Sequence, residues 1–74
     1  MNQLQNITNM TAREEFGAYI VAMRTKKGIT QEQLAERAEI TRNNLSRIEN
    51  GKYNPGLDIL QRIGDAFGEK LKYG

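Results

Sequence analysis

TQEQLAERAEITRNNLSRIENG, residues 30–51, is the stretch that decides the fold. Its apolar residues recur at helical spacing in two short blocks, the first placing Leu34 and Ala38 on one face and the second placing Leu45 and Ile48 on one face. Stripes this short are stable only when they are buried against each other and against further helices. The pattern therefore predicts two short helices joined by a tight turn.

The ends of these two helices are marked by capping residues. Thr30 with Gln33 forms a capping-box pattern at the start of the first helix, and Thr41 is a suitable N-cap for the second. Gly51 favours a left-handed residue that ends the second helix. Both helices are therefore predicted to begin and end at defined positions.

A longer helix is predicted before this pair. Thr11 and Glu14 form another capping box, and Gly28 marks the end of the segment. The apolar residues between them repeat at helical spacing, at Phe16, Ile20 and Met23.

A fourth helix is predicted after a loop at residues 52–56, ending near residue 68. Its inner face is predicted at Leu57, Leu60, Ile63 and Phe67. Polar and apolar residues alternate in EKLKYG, residues 69–74, which is typical of a strand. Leu71 also continues the helical spacing of the apolar residues before it, so a strand and a fifth helix both remain open. Residues 1–10 are polar and aperiodic and are predicted to form a flexible arm, which leaves one all-α domain at residues 11–74.

The composition excludes most kinds of chemistry. The chain has 74 residues with no histidine and no cysteine, so the usual metal ligands and the commonest general base are missing. We therefore expect neither an enzyme nor a metal or cofactor site. No apolar run approaches the length of a membrane span, and residues 1–10 do not resemble a signal peptide, so the expectation is a soluble cytoplasmic protein with no membrane partner.

The net charge of +2 is unevenly distributed. Residues 24–53 hold seven of the eleven Lys and Arg residues but only four of the nine acidic residues. A positive central segment suits a nucleic-acid partner, although the same charges would also suit an ordinary solvated surface.

Residues 16–67 resemble the phage-repressor-like helix-turn-helix family of bacterial and phage regulators, the Cro and C1 type. The most specific elements are Arg24, GITQ at 28–31, LA at 34–35, LSRIENG at 45–51 and NP at 54–55. The resemblance implies a compact lambda-repressor-like domain of four to five helices. It also implies a sequence-specific regulator, in most cases a repressor. Such a regulator binds a palindromic operator in double-stranded DNA as a homodimer. Glu39 stands where the family often has glycine. Because a left-handed non-glycine residue costs about 1–2 kcal/mol, a different turn geometry is expected there.

Four polar residues are candidates for reading bases. They occupy the N-terminal half of the second helix of the pair, on the side opposite its apolar face, where such a helix meets base edges. Arginine pairs with guanine and asparagine with adenine through two hydrogen bonds each. The alternative is a merely solvated surface. The candidates are Arg42, Asn43, Ser46 and Arg47.

Phosphate contacts favour donors at helix starts and in the adjoining loops. The candidates are Gln31, Asn44, Asn50 and Lys52. The resemblance assigns a backbone phosphate to Gln31 and to Asn50, and helix capping beside Gly51 is an alternative role for Asn50. The resemblance also pairs Arg24 with Glu49 in a structural ion bridge.

Other partners follow from the ends of the chain and from related proteins. A weak homodimer contact is expected at Phe67, Leu71 and Tyr73, because the segment that carries them is short. An alternative function is that of an antitoxin, which binds a toxin and its own promoter, and a further alternative is the DNA-binding end of a longer enzyme or sensor.

Overall fold

The structure is a computed structural model that describes residues 10–68. Within these residues the chain forms four helices. They are α1 (Ala12–Lys27), α2 (Gln31–Ala38), α3 (Arg42–Glu49) and α4 (Leu57–Ala66). The prediction of an all-α domain with two short helices at its centre is confirmed. Segment 69–74 and all of the predicted arm except the exposed Met10 lie outside the described residues.

Capping side chains start three of the helices at the predicted positions. The Thr11 backbone N–H donates to the Glu14 carboxylate at 2.9 Å, and the Glu14 N–H donates to the Thr11 hydroxyl at 3.2 Å. Thr30 and Gln33 exchange the same two bonds at 3.0 Å each. Thr41 accepts from the Asn44 N–H at 3.0 Å, so α3 begins at a fixed point on the chain.

The turn between α2 and α3 corrects one expectation. Glu39 adopts the left-handed conformation, with φ 59° and ψ 43°, so the expectation of a different geometry was wrong. Its N–H donates to the Glu36 carbonyl at 3.1 Å, and the Ile40 N–H donates to the Ala35 carbonyl at 3.0 Å, which satisfies the last carbonyls of α2. Arg62 of α4 also donates to the Glu39 carbonyl, at 3.3 Å. These bonds hold the turn in this conformation, and the glutamate side chain is exposed.

The core lies where the central helix pair meets its two neighbours. Ile20, Leu34, Leu45 and Ile48 are fully buried. The main contacts join α1 with α3, α2 with α3 and α2 with α4. At Gly17, α1 comes so close to the end of α3 that an added Cβ would lie 2.5 Å from the Ile48 carbonyl oxygen. The absence of a side chain at Gly17 therefore lets α1 hold the end of α3 in place.

The buried face of α4 differs from the predicted one at its first turn. Leu57 is 72% exposed, whereas Ile59, which was not predicted, packs against the core. The reason is geometric: at about 100° per residue, Leu57 lies about 120° around the helix from the buried Ile63, and Ile59 lies only about 40° from it. Ile63 and Phe67 are buried as predicted.

Candidate nucleic-acid interface

The polar side of α3 is the first component of the candidate interface. Arg42, Asn43 and Arg47 are exposed and Ser46 is half-buried. These four positions span an arc of about 140° around the helix, and the buried residues Leu45 and Ile48 occupy the opposite side. The structure therefore brings all four base-reading candidates onto one accessible face. Asn44, a phosphate candidate, is half-buried beside them.

The side chain of Gln31, at the first position of α2, connects α2 with both ends of α3. Its amide nitrogen donates to Glu49 Oε1 at 2.8 Å, and its amide oxygen accepts from Arg42 Nε at 3.2 Å. A side-chain amide donates through its nitrogen and accepts through its oxygen. Because the Glu49 carboxylate requires a donor, the Gln31 nitrogen faces Glu49 and the oxygen faces Arg42. Gln31 thus ties the first residue of α3 to the last.

The carboxylate of Glu49 is the centre of this hydrogen-bond chain. Arg24 of α1 donates to it twice, from Nε to Oε2 at 2.8 Å and from Nη2 to Oε1 at 3.1 Å, so the structure brings the two members of the expected ion pair together. The side chains are 17% exposed for Arg24 and 5% exposed for Glu49. Arg24 also donates from Nη1 to the Ile29 carbonyl at 3.2 Å, in the loop before α2. One guanidinium therefore connects α1, the loop that leads into α2 and the end of α3.

The loop after α3 carries the remaining phosphate candidates. Gly51 has a φ of 74°, and the Lys52 N–H donates to the Arg47 carbonyl at 2.8 Å, so the chain turns sharply at the end of the helix. Asn50 and Lys52 are exposed on this turn. Asn50 also occupies the C-cap position of α3, which is the alternative role that the sequence offers for it.

The ring of Tyr53 lies against one of the base-reading candidates, Arg47. The Arg47 guanidinium lies 5.8 Å from the ring centroid, and the ring packs against the hydrophobic core. A cation over an aromatic face is attracted by the ring and loses freedom of movement. This contact cannot be predicted from the sequence, because no local pattern relates residues 47 and 53.

The charges of the site leave its outer surface positive. Glu49 is shielded and already paired with Arg24, whereas Arg42, Arg47 and Lys52 are exposed. These cations lie at the start of α3, near its end and on the loop beyond it. A surface of this kind suits a polyanion whose phosphates recur along a groove.

The fold and this surface define a class of protein, a DNA-binding helix-turn-helix domain. The model of the helix-turn-helix family matches residues 20–73, and the chain belongs to that family, in its Cro and C1 type. It is a DNA-binding transcriptional regulator. Within residues 10–68, no helix is long and apolar enough to cross a membrane.

Individual relatives agree with this assignment. An immunity repressor protein of Bacillus phage phi105 is 42% identical over 52 residues, which cover 70% of this chain and 36% of that protein. The matched stretch of this chain thus spans about a third of the phage repressor's length.

Two solved structures share the fold. The clp gene regulator ClgR from Corynebacterium glutamicum superposes with a TM-score of 0.79 at 29% identity, covering 84% of this chain and 80% of that one. The restriction-modification controller protein C.AhdI from Aeromonas hydrophila gives a TM-score of 0.75 at 28% identity, covering 77% of this chain and 86% of that one.

Proposed function

We propose that this regulator is a sequence-specific repressor that places α3 in the major groove of an operator, as a homodimer on a two-fold-related site. The observation that carries the proposal is the hydrogen-bond chain from Arg24 through Glu49 and Gln31 to Arg42. It holds the first side chain of α3 in one orientation before any ligand is bound. Preorganisation of this kind lowers the entropic cost of binding.

In the proposed complex, two arginines identify guanines. Arg42 donates only from its Nε to Gln31, so both terminal nitrogens can donate to guanine O6 and N7. Arg47 is held by the Tyr53 ring and reads a second position. Asn43 and Ser46, on the same face, contact neighbouring bases.

The phosphate contacts come from both sides of α3. The Gln31 amide nitrogen carries two hydrogens and gives one to Glu49, so the second can be donated to a phosphate oxygen. Lys52 and the backbone at Asn50 approach the phosphates from the other end, and Asn44 adds a donor between them. These contacts set the position of α3 without reading sequence.

The proposed homodimer follows from the two-fold sites that such domains bind. Of the three residues expected at its interface, Phe67 is only 8% exposed and belongs mainly to the core of its own chain. Leu71 and Tyr73 lie outside the described residues. Repression follows when the bound dimer occupies DNA that the polymerase needs.

The test compares two single variants, Arg47→Ala and Lys52→Ala, across a panel of duplexes that each change one base of the selected operator. Arg47→Ala should cost about 1–3 kcal/mol on the preferred site and should remove the preference at one base position. Lys52→Ala, the matched control, should weaken binding to every duplex by a similar factor. It should also reduce the slope of log affinity against log salt concentration by about 1, the contribution of one phosphate contact.

A third variant examines the hydrogen-bond chain itself. Gln31→Ala should weaken binding to all duplexes and should also relax the preference at the base that Arg42 reads, because Arg42 loses its partner. An unchanged preference pattern in both Arg47→Ala and Gln31→Ala would refute base reading by α3.

A further inference from the structure

The guanidinium of Arg47 is held in a different way from that of Arg42. Arg42 donates from Nε to the Gln31 side chain. Within residues 10–68, the Arg47 side chain has no hydrogen-bond or ion-pair partner, and its guanidinium lies 5.8 Å from the centroid of the Tyr53 ring. An aromatic face attracts a cation without accepting a conventional hydrogen bond from it. Every N–H group of the Arg47 guanidinium therefore stays available to a ligand.

The turn after α3 brings the Tyr53 ring to this position. The Gly51 N–H donates to the Ile48 carbonyl at 3.1 Å. The Lys52 N–H donates to the Arg47 carbonyl at 2.8 Å, and together these are the two bonds of a Schellman motif. The motif needs a left-handed residue, which Gly51 supplies with a φ of 74°. Because the chain folds back over the last turn of α3, Tyr53 comes next to Arg47, the residue whose carbonyl anchors the turn.

The ring itself is held on the side of the core. Tyr53 is half-buried and packs against the hydrophobic core. Pro55, two residues further along, is buried, and a proline fixes its own φ. It also restricts Asn54, the residue before it, to an extended conformation. The ring is therefore a fixed surface, and a cation that lies on it has a fixed position as well.

We propose that Tyr53 is a positioning residue for DNA reading, which sets the preference at the base that Arg47 contacts without contacting the DNA itself. This inference rests on the proposed function, because it needs Arg47 to read a base. Ordering a long side chain at an interface lowers affinity by about two- to tenfold. The ring orders Arg47 before the DNA arrives, so the complex forms without that loss.

The effect of the ring is confined to duplexes that carry the preferred base. On these duplexes Arg47 forms its two hydrogen bonds with guanine and gains from being ordered in advance. On a duplex with another base at that position the pair of bonds does not form, so the order of the side chain brings no gain. Lys52, the neighbour of Tyr53, contacts phosphate in the proposed complex and acts on all duplexes alike. Loss of the ring should therefore lower affinity for the preferred duplex alone.

The first test uses two variants of the full chain, Tyr53→Phe and Tyr53→Leu, and duplexes that differ only at the base read by Arg47. Tyr53→Phe keeps the aromatic face and should retain the preference. Tyr53→Leu keeps an apolar side chain but has no aromatic face, so its affinity for the preferred duplex should fall about two- to tenfold while its affinity for the other duplexes stays unchanged. The preference at the base read by Arg42 is the internal control and should not change in either variant.

The Arg47→Ala background shows whether Tyr53 acts through Arg47. In this background, Tyr53→Leu should have no further effect on the preference, because the ring has no arginine to hold. Loss of the preference in Arg47→Ala but not in Tyr53→Leu overturns this inference and leaves the proposed function intact. No loss in either variant overturns both. A uniform loss of affinity in Tyr53→Phe would make the hydroxyl a phosphate donor, and tighter binding by Tyr53→Leu would mean that the ring holds Arg47 back; each result overturns the inference.

The second test remains decisive even if Tyr53→Leu fails to fold. Pentafluorophenylalanine at position 53 keeps the shape of an aromatic ring but removes the negative charge of its face. Compared with Tyr53→Phe, this substitution should lower affinity for the preferred duplex about two- to tenfold. In the unaltered protein without DNA, nuclear Overhauser effects are expected between the Tyr53 ring protons and the Arg47 side chain. Equal preference for the fluorinated and plain rings, or the absence of these effects, would overturn the inference.

Discussion

Replacing Arg24 with alanine removes the guanidinium that holds three parts of the fold together. An exposed ion pair contributes about 0–1 kcal/mol, whereas removal of one partner from a buried pair costs about 3–5 kcal/mol. With Glu49 only 5% and Arg24 17% exposed, the pair lies close to the buried limit. We expect Arg24→Ala to lower the free energy of unfolding by about 3 kcal/mol, since it leaves the Glu49 carboxylate with Gln31 as its remaining side-chain donor.

A loss of this size is readily measured. In a domain of this length it corresponds to a fall in Tm of about 12–24 °C. Urea titrations followed by circular dichroism give the free energy of unfolding directly. Arg24→Lys should give an intermediate value, because lysine keeps the charge but cannot form the paired hydrogen bonds of a guanidinium.

The double-mutant cycle with Glu49→Ala isolates the interaction between the two side chains. The doubly substituted protein should be more stable than Arg24→Ala alone, because it no longer contains an unpaired buried carboxylate. We expect a coupling energy of about 2 kcal/mol. Additivity within about 0.3–0.5 kcal/mol would show that the two side chains do not interact in solution and would refute the reasoning.

Two further predictions concern the backbone. Glu39→Gly should raise the free energy of unfolding by about 0.5–1 kcal/mol, because the strain that glycine relieves at a φ of 59° exceeds the cost of a more flexible unfolded chain. Glu36→Gly, at an exposed position within α2, should instead lower the free energy of unfolding by about 1 kcal/mol. A loss of stability in both variants would contradict the strain at Glu39. Gly17→Ala should destabilise the protein by about 1–3 kcal/mol in urea titrations, because the new Cβ meets the end of α3. Helix propensity alone predicts the opposite sign, so a more stable Gly17→Ala would show that α1 and α3 do not approach so closely.

The helix boundaries could be predicted from the sequence because capping is local. Thr11 with Glu14 and Thr30 with Gln33 lie three residues apart, so each pattern is complete within one turn of chain. The face of α4 was less certain. Leu57 fits the helical spacing of the apolar residues but lies outside the buried face. Only the packing of Ile59 and Ile63 against the other helices shows where that face is centred.

The internal connections of the candidate interface could not be predicted. Gln31 bonds to Arg42 and Glu49 across 11 and 18 residues, so the contacts depend on how α2 and α3 cross. The Arg47–Tyr53 contact depends in the same way on the turn at Gly51. One residue of the sequence does point to the close approach of α1 and α3. A glycine inside a helix is costly, so Gly17 in α1 indicates a close approach between helices.

Selection of bound duplexes from a random pool, at one fixed salt concentration, tests the central claim most directly. If a homodimer reads its operator through α3, the selection enriches an inverted repeat whose half-sites are centred about 10 base pairs, one helical turn, apart. The Kd for the selected duplex should lie at about 10⁻⁸ to 10⁻¹¹ M and be at least about 10³-fold lower than for a scrambled duplex. No enriched sequence, together with equal affinity for selected and scrambled duplexes, would contradict sequence-specific reading by α3.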